Sequence, residues 1–212
     1  MAPPEYHFVT RWNVLGTARE VSDVLGDARE LPRWWPAVYL AVDELEPGGE
    51  RGIGRRVRLH TMGFLPYTLG WELRLIESRY PYGFTSEARG DLSGRGVWTF
   101  EESGARTLVT FDWRVRAEKP VLRFLSPLFR PLLSANHRWA MARGEESLEL
   151  ELARRRAPTS AEKGRFPAPP PPVGLAPALV LGAGAALGIA AYGLVRRLRR
   201  PRPRRFEWRR FR

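Results

Sequence analysis

The chain has 212 residues, 43% of them hydrophobic and 27% charged, and no cysteine, so disulfides, thiol catalysis and thiolate metal sites are excluded. Its net charge of +12 is lopsided: Arg196–Arg212 holds ten Arg against one Glu, which leaves +3 for everything before it. A basic tail points to an anionic partner, lipid headgroups or nucleic acid, and the body of the chain has no such bias.

The first six residues, Met1 to Tyr6, have neither a basic n-region nor an apolar h-region, so no signal peptide is expected. From Tyr6 to Val14 the residues alternate. This predicts a strand with Phe8, Thr10, Trp12 and Val14 on one face. Thr17 with Glu20 three residues on is a capping box, and Val21, Val24 and Leu25 form an apolar helical stripe. Asp27 and Pro32 interrupt it, and Glu30 to Trp35 reads as a second short helix closed by Pro36.

Six strands are expected next: Val38–Leu45, Gly54–His60, Tyr67–Glu77, Phe84–Arg89, Gly96–Glu101 and Thr107–Arg116. In Tyr67–Glu77, Leu69, Trp71, Leu73 and Leu75 share one face with Tyr67, and Thr68, Glu72 and Arg74 share the other. In Thr107–Arg116, Val109, Phe111, Trp113 and Val115 oppose Thr110, Asp112, Arg114 and Arg116. One apolar and one charged face is the pattern of an antiparallel sheet wetted on one side.

From Pro120 the period becomes helical. Pro127 and Pro131 are expected to break the start, leaving an unbroken helix from Leu132 to about Arg155. Its stripe is Leu132, Asn136, Ala140, Gly144 and Leu148, flanked by Leu133, Trp139 and Arg143. A long helix laid across an antiparallel sheet covers both apolar faces, so the class is α+β.

Composition then shifts three times. Residues 157–172 are a Pro-rich linker whose Pro run should be extended. Val173–Val195 is 23 residues without a charge. As a helix it spans roughly 35 Å against a hydrocarbon core of about 30 Å, and it is apolar all round. A single transmembrane helix is expected there. Its Gly184-Ala185-Ala186-Leu187-Gly188 step would admit close packing on another membrane helix. In the Arg-rich tail, residues 196–212, Phe206, Trp208 and Phe211 interleave the cations, which favours an anionic bilayer surface over nucleic acid. Ten Arg downstream would hold the tail in the cytoplasm, while Arg154, Arg155, Arg156, Lys163 and Arg165 upstream pull the other way. With no export signal, the globular domain, residues 1–156, is expected in the cytoplasm at the cell (inner) membrane.

The order strand, two short helices, six strands, long helix resembles the helix-grip fold of the START-like (SRPBCC) superfamily. Thr17-Ala18-Arg19-Glu20-Val21, Val24-Leu25-Gly26-Asp27 and Leu31-Pro32-Arg33-Trp34-Trp35-Pro36 resemble its helix pair. Gly90-Asp91-Leu92 and Gly94-Arg95-Gly96-Val97-Trp98-Thr99-Phe100 resemble its late hairpin. The resemblance covers residues 5–155. It implies a curved antiparallel sheet of about seven strands wrapped around a long C-terminal helix. It also implies a cavity between them for a hydrophobic small molecule. That superfold hosts carriers, cyclases and hydrolase-like members, so it fixes no activity.

The ligand-binding candidates are Trp12, Trp71, Phe84, Trp98, Phe111 and Trp113 on the sheet, with Asn136, Trp139 and Arg143 on the helix. Trp34, Trp35, Phe64, Leu65, Leu132 and Ala140 could complete the lining. The same rings could equally fill a core, and only unfilled volume separates the two. Met62-Gly63-Phe64-Leu65-Pro66 reads as a gate, a core cap or a membrane dock. His7, His60 and His137 show no metal spacing, so no metal site is expected, and His137 reads as a surface or core residue. Neighbours on a helix point about 100° apart, so Asn136 and His137 should not both face the cavity.

No Gly-x-Ser-x-Gly is present, Gly90–Gly96 opens no helix, and alternation puts Glu72 on the wet face. No catalytic constellation and no cofactor follow. Three functions stand: a membrane-tethered carrier of a lipid, quinone or polyketide-like compound; an accessory subunit of a membrane protein complex; and an aromatase/cyclase-like enzyme.

Overall fold

The computed structural model describes residues 5–118 and 120–173, with the backbone alone for 120–129. Seven antiparallel strands form one sheet in the order β1-β7-β6-β5-β4-β3-β2. They are β1 Glu5–Leu15, β2 Tyr39–Glu46, β3 Arg56–Met62, β4 Thr68–Ser78, β5 Gly83–Gly90, β6 Leu92–Ser103 and β7 Arg106–Ala117. β1 and β2 are the two edges, and α1 (Ala18–Leu25) and α2 (Leu31–Trp34) carry the chain from one to the other. The long helix α3 (Pro120–Arg156) follows the last strand.

Local chemistry explains the joints. The capping box is present: Thr17 Oγ1 accepts from the Glu20 amide at 3.2 Å, and Glu20 accepts from the Thr17 amide at 2.8 Å. Glu20 also accepts from Arg156 Nε at 2.7 Å, which ties the start of α1 to the end of α3. That hydrogen bond holds the Glu20 carboxyl down at about 2, against the opposing effect of its partial burial. On α2, Arg33 makes two bonds to Glu151 of α3, at 2.6 and 2.8 Å, and Arg155 adds a third at 2.6 Å. Burial disfavours ionisation of Glu151, which is 2% exposed, but the two guanidinium groups outweigh it and hold its pKa below the ordinary value. Gly144 lets α3 lie on α2, because a Cβ there would fall inside the Trp35 ring.

One expectation changes. α3 runs from Pro120 without a break at Pro127 or Pro131. A proline removes only its own amide donor and crowds one carbonyl, which bends a helix more readily than it ends one. In the linker a short helix, α4 (Ser160–Lys163), forms behind a capping box of Thr159 and Glu162, ahead of the Pro run. The expected transmembrane helix and Arg-rich tail lie outside the described residues. Among the described residues no helix is long and apolar enough to cross a membrane.

The sheet register divides the domain into two ends. At the end where α1 packs against β6 and α3, the core is solid. Trp12, Val109 and Phe100 form one cross-strand row there, each no more than 2% exposed, and Leu148 and Leu152 of α3 close over it. At the other end lies the row Phe8, Trp113, Gly96 and Ser86, beneath the Leu133–Met141 part of α3. That end is hollow.

Candidate ligand-binding cavity

The hollow end holds a cavity of about 190 Å³. Its floor is an aromatic pavement on the inner sheet face. Trp98 stacks on Phe111 at 4.0 Å, Phe111 on Trp113 at 5.5 Å, and Trp71 stands 6.1 Å from Trp113. The Trp71 indole nitrogen donates to Thr61 Oγ1 at 3.0 Å, so this ring borders the cavity with its polar atom satisfied. The roof is α3, through Leu133, Asn136, His137, Ala140 and Met141. Trp35, Val38 and Tyr39 wall one side.

The rim carries the polar groups. Tyr6 and Phe8 of β1 stack at 5.8 Å, Phe8 stacks on His137 at 4.1 Å, and Arg130 lies over the Tyr6 ring at 5.4 Å. His137 Nε2 is 3.4 Å from Thr10 Oγ1. Burial pushes the His137 pKa down to about 4, helped by the charge on Arg138, so the ring is neutral at pH 7. Burial raises the Tyr39 phenol and pushes that of Tyr67 up to about 12, with Tyr6 adding to the latter. The segment Met62–Pro66 closes the rim: Asn136 Oδ1 accepts from the Leu65 amide at 3.2 Å, and Phe64 meets Trp139 edge-on at 6.0 Å. Gly63 permits this closure, since a Cβ there would collide with the Asn136 amide.

A family model for polyketide cyclases, dehydrases and lipid transport matches residues 8–149. The chain belongs to this family. Solved structures give the same fold. The Zhui aromatase/cyclase from Streptomyces sp. R1128 is similar at 19% identity and a TM-score of 0.58, covering 74% of this chain and 99% of that one. A START superfamily protein from Mycobacterium smegmatis is similar at 15% identity and a TM-score of 0.55, covering 69% and 96%. No curated protein matches the chain. The family match runs from β1 into α3 and so takes in the floor and roof of the cavity, leaving out the linker and tail.

Within this family fold, five of the nine expected site residues line the cavity: Trp71, Trp98, Phe111, Trp113 and Asn136. Four do not. Trp12 is packed in the solid end, 5.8 Å from Trp35 and 5.5 Å from Trp98. Phe84 faces a separate small pocket with Leu25, Val57 and Leu75. Trp139 sits outside the cavity on Phe64. Arg143 pairs with Glu146 at 2.6 Å on the exposed side of α3. Helix phase explains Trp139, which lies about 100° from Ala140 and farther still from Met141; Arg143 is nearly in phase with Asn136 but lies beyond Met141, the last α3 residue on the cavity. Leu132, placed on the inner stripe from sequence, is 38% exposed, and Leu133 takes its place.

Asn136 and His137 do both reach the cavity, because its roof is wide enough to receive side chains 100° apart. Sequence reasoning missed Tyr39, Ser86 and Met141. Alternation with Phe84 was the available signal for Ser86, and the step from His137 to Met141 was the signal for the methionine. Glu72 lies on the outer face, 3.1 Å from Arg58.

Proposed function

We propose that this chain is a binding or carrier module for a hydrophobic or amphipathic small molecule, such as a lipid, a quinone or a polyketide-like compound. The observation that carries the reading is the uneven core: one end of the domain is packed solid, while the other keeps about 190 Å³ open beneath the same helix. Apolar cavities of about 150 Å³ already accept a benzene-sized guest, so this volume suits a small ring system or part of a chain. A vestigial cavity in an accessory subunit would have no reason to stay open, since filling it adds stability. The enzyme reading draws on the likeness to the Zhui aromatase/cyclase, which is a likeness of fold.

The reading includes a membrane. The uncharged stretch Val173–Val195 and the ten Arg beyond it support a tether, and a tether concentrates the domain where apolar ligands reside. Calorimetric titration with dodecanol, a benzoquinone and 2-naphthol tests the binding claim. Saturable binding of at least one, weakened by Ala140→Phe, is expected. No binding of any of the three would return the chain to the accessory-subunit reading.

A further inference from the structure

Ser86 is the most deeply buried polar residue on the cavity wall, at 2% exposure. It sits on β5 between Leu75 of β4 and Gly96 of β6, level with Trp113 and Phe8. It also borders the small pocket behind Leu73, so it stands where the hollow end meets the solid one. Its hydroxyl takes no hydrogen-bond partner among the described residues. The other buried hydroxyls of the inner sheet face are satisfied: Thr61 receives the Trp71 indole, and Thr107 donates to the Gly16 carbonyl at 2.6 Å. A hydroxyl that opens on the cavity without a protein partner can answer a polar atom of a guest.

The rest of the wall has the same character. Tyr39 and Tyr67 also line the cavity, and burial keeps both phenols protonated at neutral pH. No Asp, Glu, Lys or Arg lines the cavity among the described residues. A charged ligand would lose its hydration there and meet no counter-charge. A saturated chain would leave the hydroxyls unanswered. A flat oxygenated ring lies well on the Trp98–Phe111–Trp113 pavement and answers the hydroxyls at its edge.

We infer that Ser86 is a specificity-determining residue whose hydroxyl reads a hydroxyl or carbonyl oxygen at the inward edge of an uncharged, flat aromatic ligand. The inference rests on the binding function proposed above and narrows its ligand class. Three probes of similar shape separate the contributions: 2-naphthol, naphthalene and 2-naphthoate, titrated calorimetrically at pH 7 into the full chain in mild detergent. Wild type should bind 2-naphthol more tightly than naphthalene, and 2-naphthoate, ionised at this pH, at least about 10-fold more weakly than 2-naphthol. Ser86→Ala should lower the 2-naphthol affinity about 3- to 10-fold and leave that for naphthalene within about 2-fold, with an unchanged melting temperature or a higher one. Ser86→Thr, which keeps the hydroxyl, should retain the preference for 2-naphthol over naphthalene. If Ser86→Ala shifts both affinities together, or neither, the reading role is wrong. Equal binding of 2-naphthoate and 2-naphthol overturns the uncharged class. If wild type binds none of the probes but takes up dodecanol, this inference fails while the carrier reading stands; if it takes up no apolar ligand at all, both fall.

Discussion

Trp12 and Trp113 share the inner face of the sheet and differ in what surrounds them. Trp12 is 2% exposed between Trp35 and Trp98, while Trp113 borders the cavity. Trp12→Ala should therefore cost about 3–5 kcal/mol in urea unfolding, and Trp113→Ala distinctly less, because one of its sides already lacks packing partners. Equal losses would mean that the hollow end is packed like the solid one. His137 gives a second residue-level test. Its pKa falls from an ordinary 6.5 to about 4 in the folded chain. Between those values the unfolded chain binds a proton that the folded chain refuses, so stability declines as pH drops from about 6.5 to about 4 and stops declining below that. His137→Leu should remove this part of the slope. The ring protons of His137 should show no NMR titration between pH 8 and 5.5, and a midpoint near 6.5 would contradict the buried placement. At this scale, alternation exposed the aromatic pavement, because large apolar rings dominate a period-2 pattern. It could not tell Trp12 from Trp113, since both have the same phase and only the position of α1 decides which end is filled. Ser86 was legible by phase and overlooked by type: a serine between apolar neighbours reads as strand filler until a cavity stands beside it.

At the scale of elements, periodicity and caps were sufficient for the seven strands, for α1 and α2, and for most of α3. They failed where local and tertiary demands diverge. The prolines at 127 and 131 look like stops in isolation, yet a helix held across a sheet can absorb a missing amide. Gly144, on the inner stripe of α3, is the seat of Trp35. Alanine there gains about 1 kcal/mol of helix propensity but must displace the indole. Gly144→Ala is expected to destabilise by about 1–3 kcal/mol in thermal or urea unfolding, and a net gain would show that Trp35 is free to move. The segment Met62–Pro66 was left between gate, cap and dock. Its Leu65 amide is held by Asn136, so Asn136→Ala should speed hydrogen exchange at Leu65 and ligand release together. Exchange at Leu65 unchanged by the substitution would mean that the latch does not hold the segment.

For the whole molecule, the charge asymmetry legible in the sequence divides the labour: a near-neutral body that encloses a cavity, and a basic tail beyond an uncharged stretch. A chain ending at residue 173 should be soluble and unfold cooperatively, while the full chain should sediment with membranes and resist carbonate extraction. A full chain that stays in solution without detergent would remove the tether from the account. The central claim is that the open end of the domain exists to be occupied. Native mass spectrometry of the full chain, purified in mild detergent, addresses it most directly. The expected spectrum shows a stoichiometric adduct of a small uncharged molecule, absent from Ala140→Phe, which fills the cavity. Protein free of any adduct, or an adduct that persists undiminished in Ala140→Phe, would contradict it.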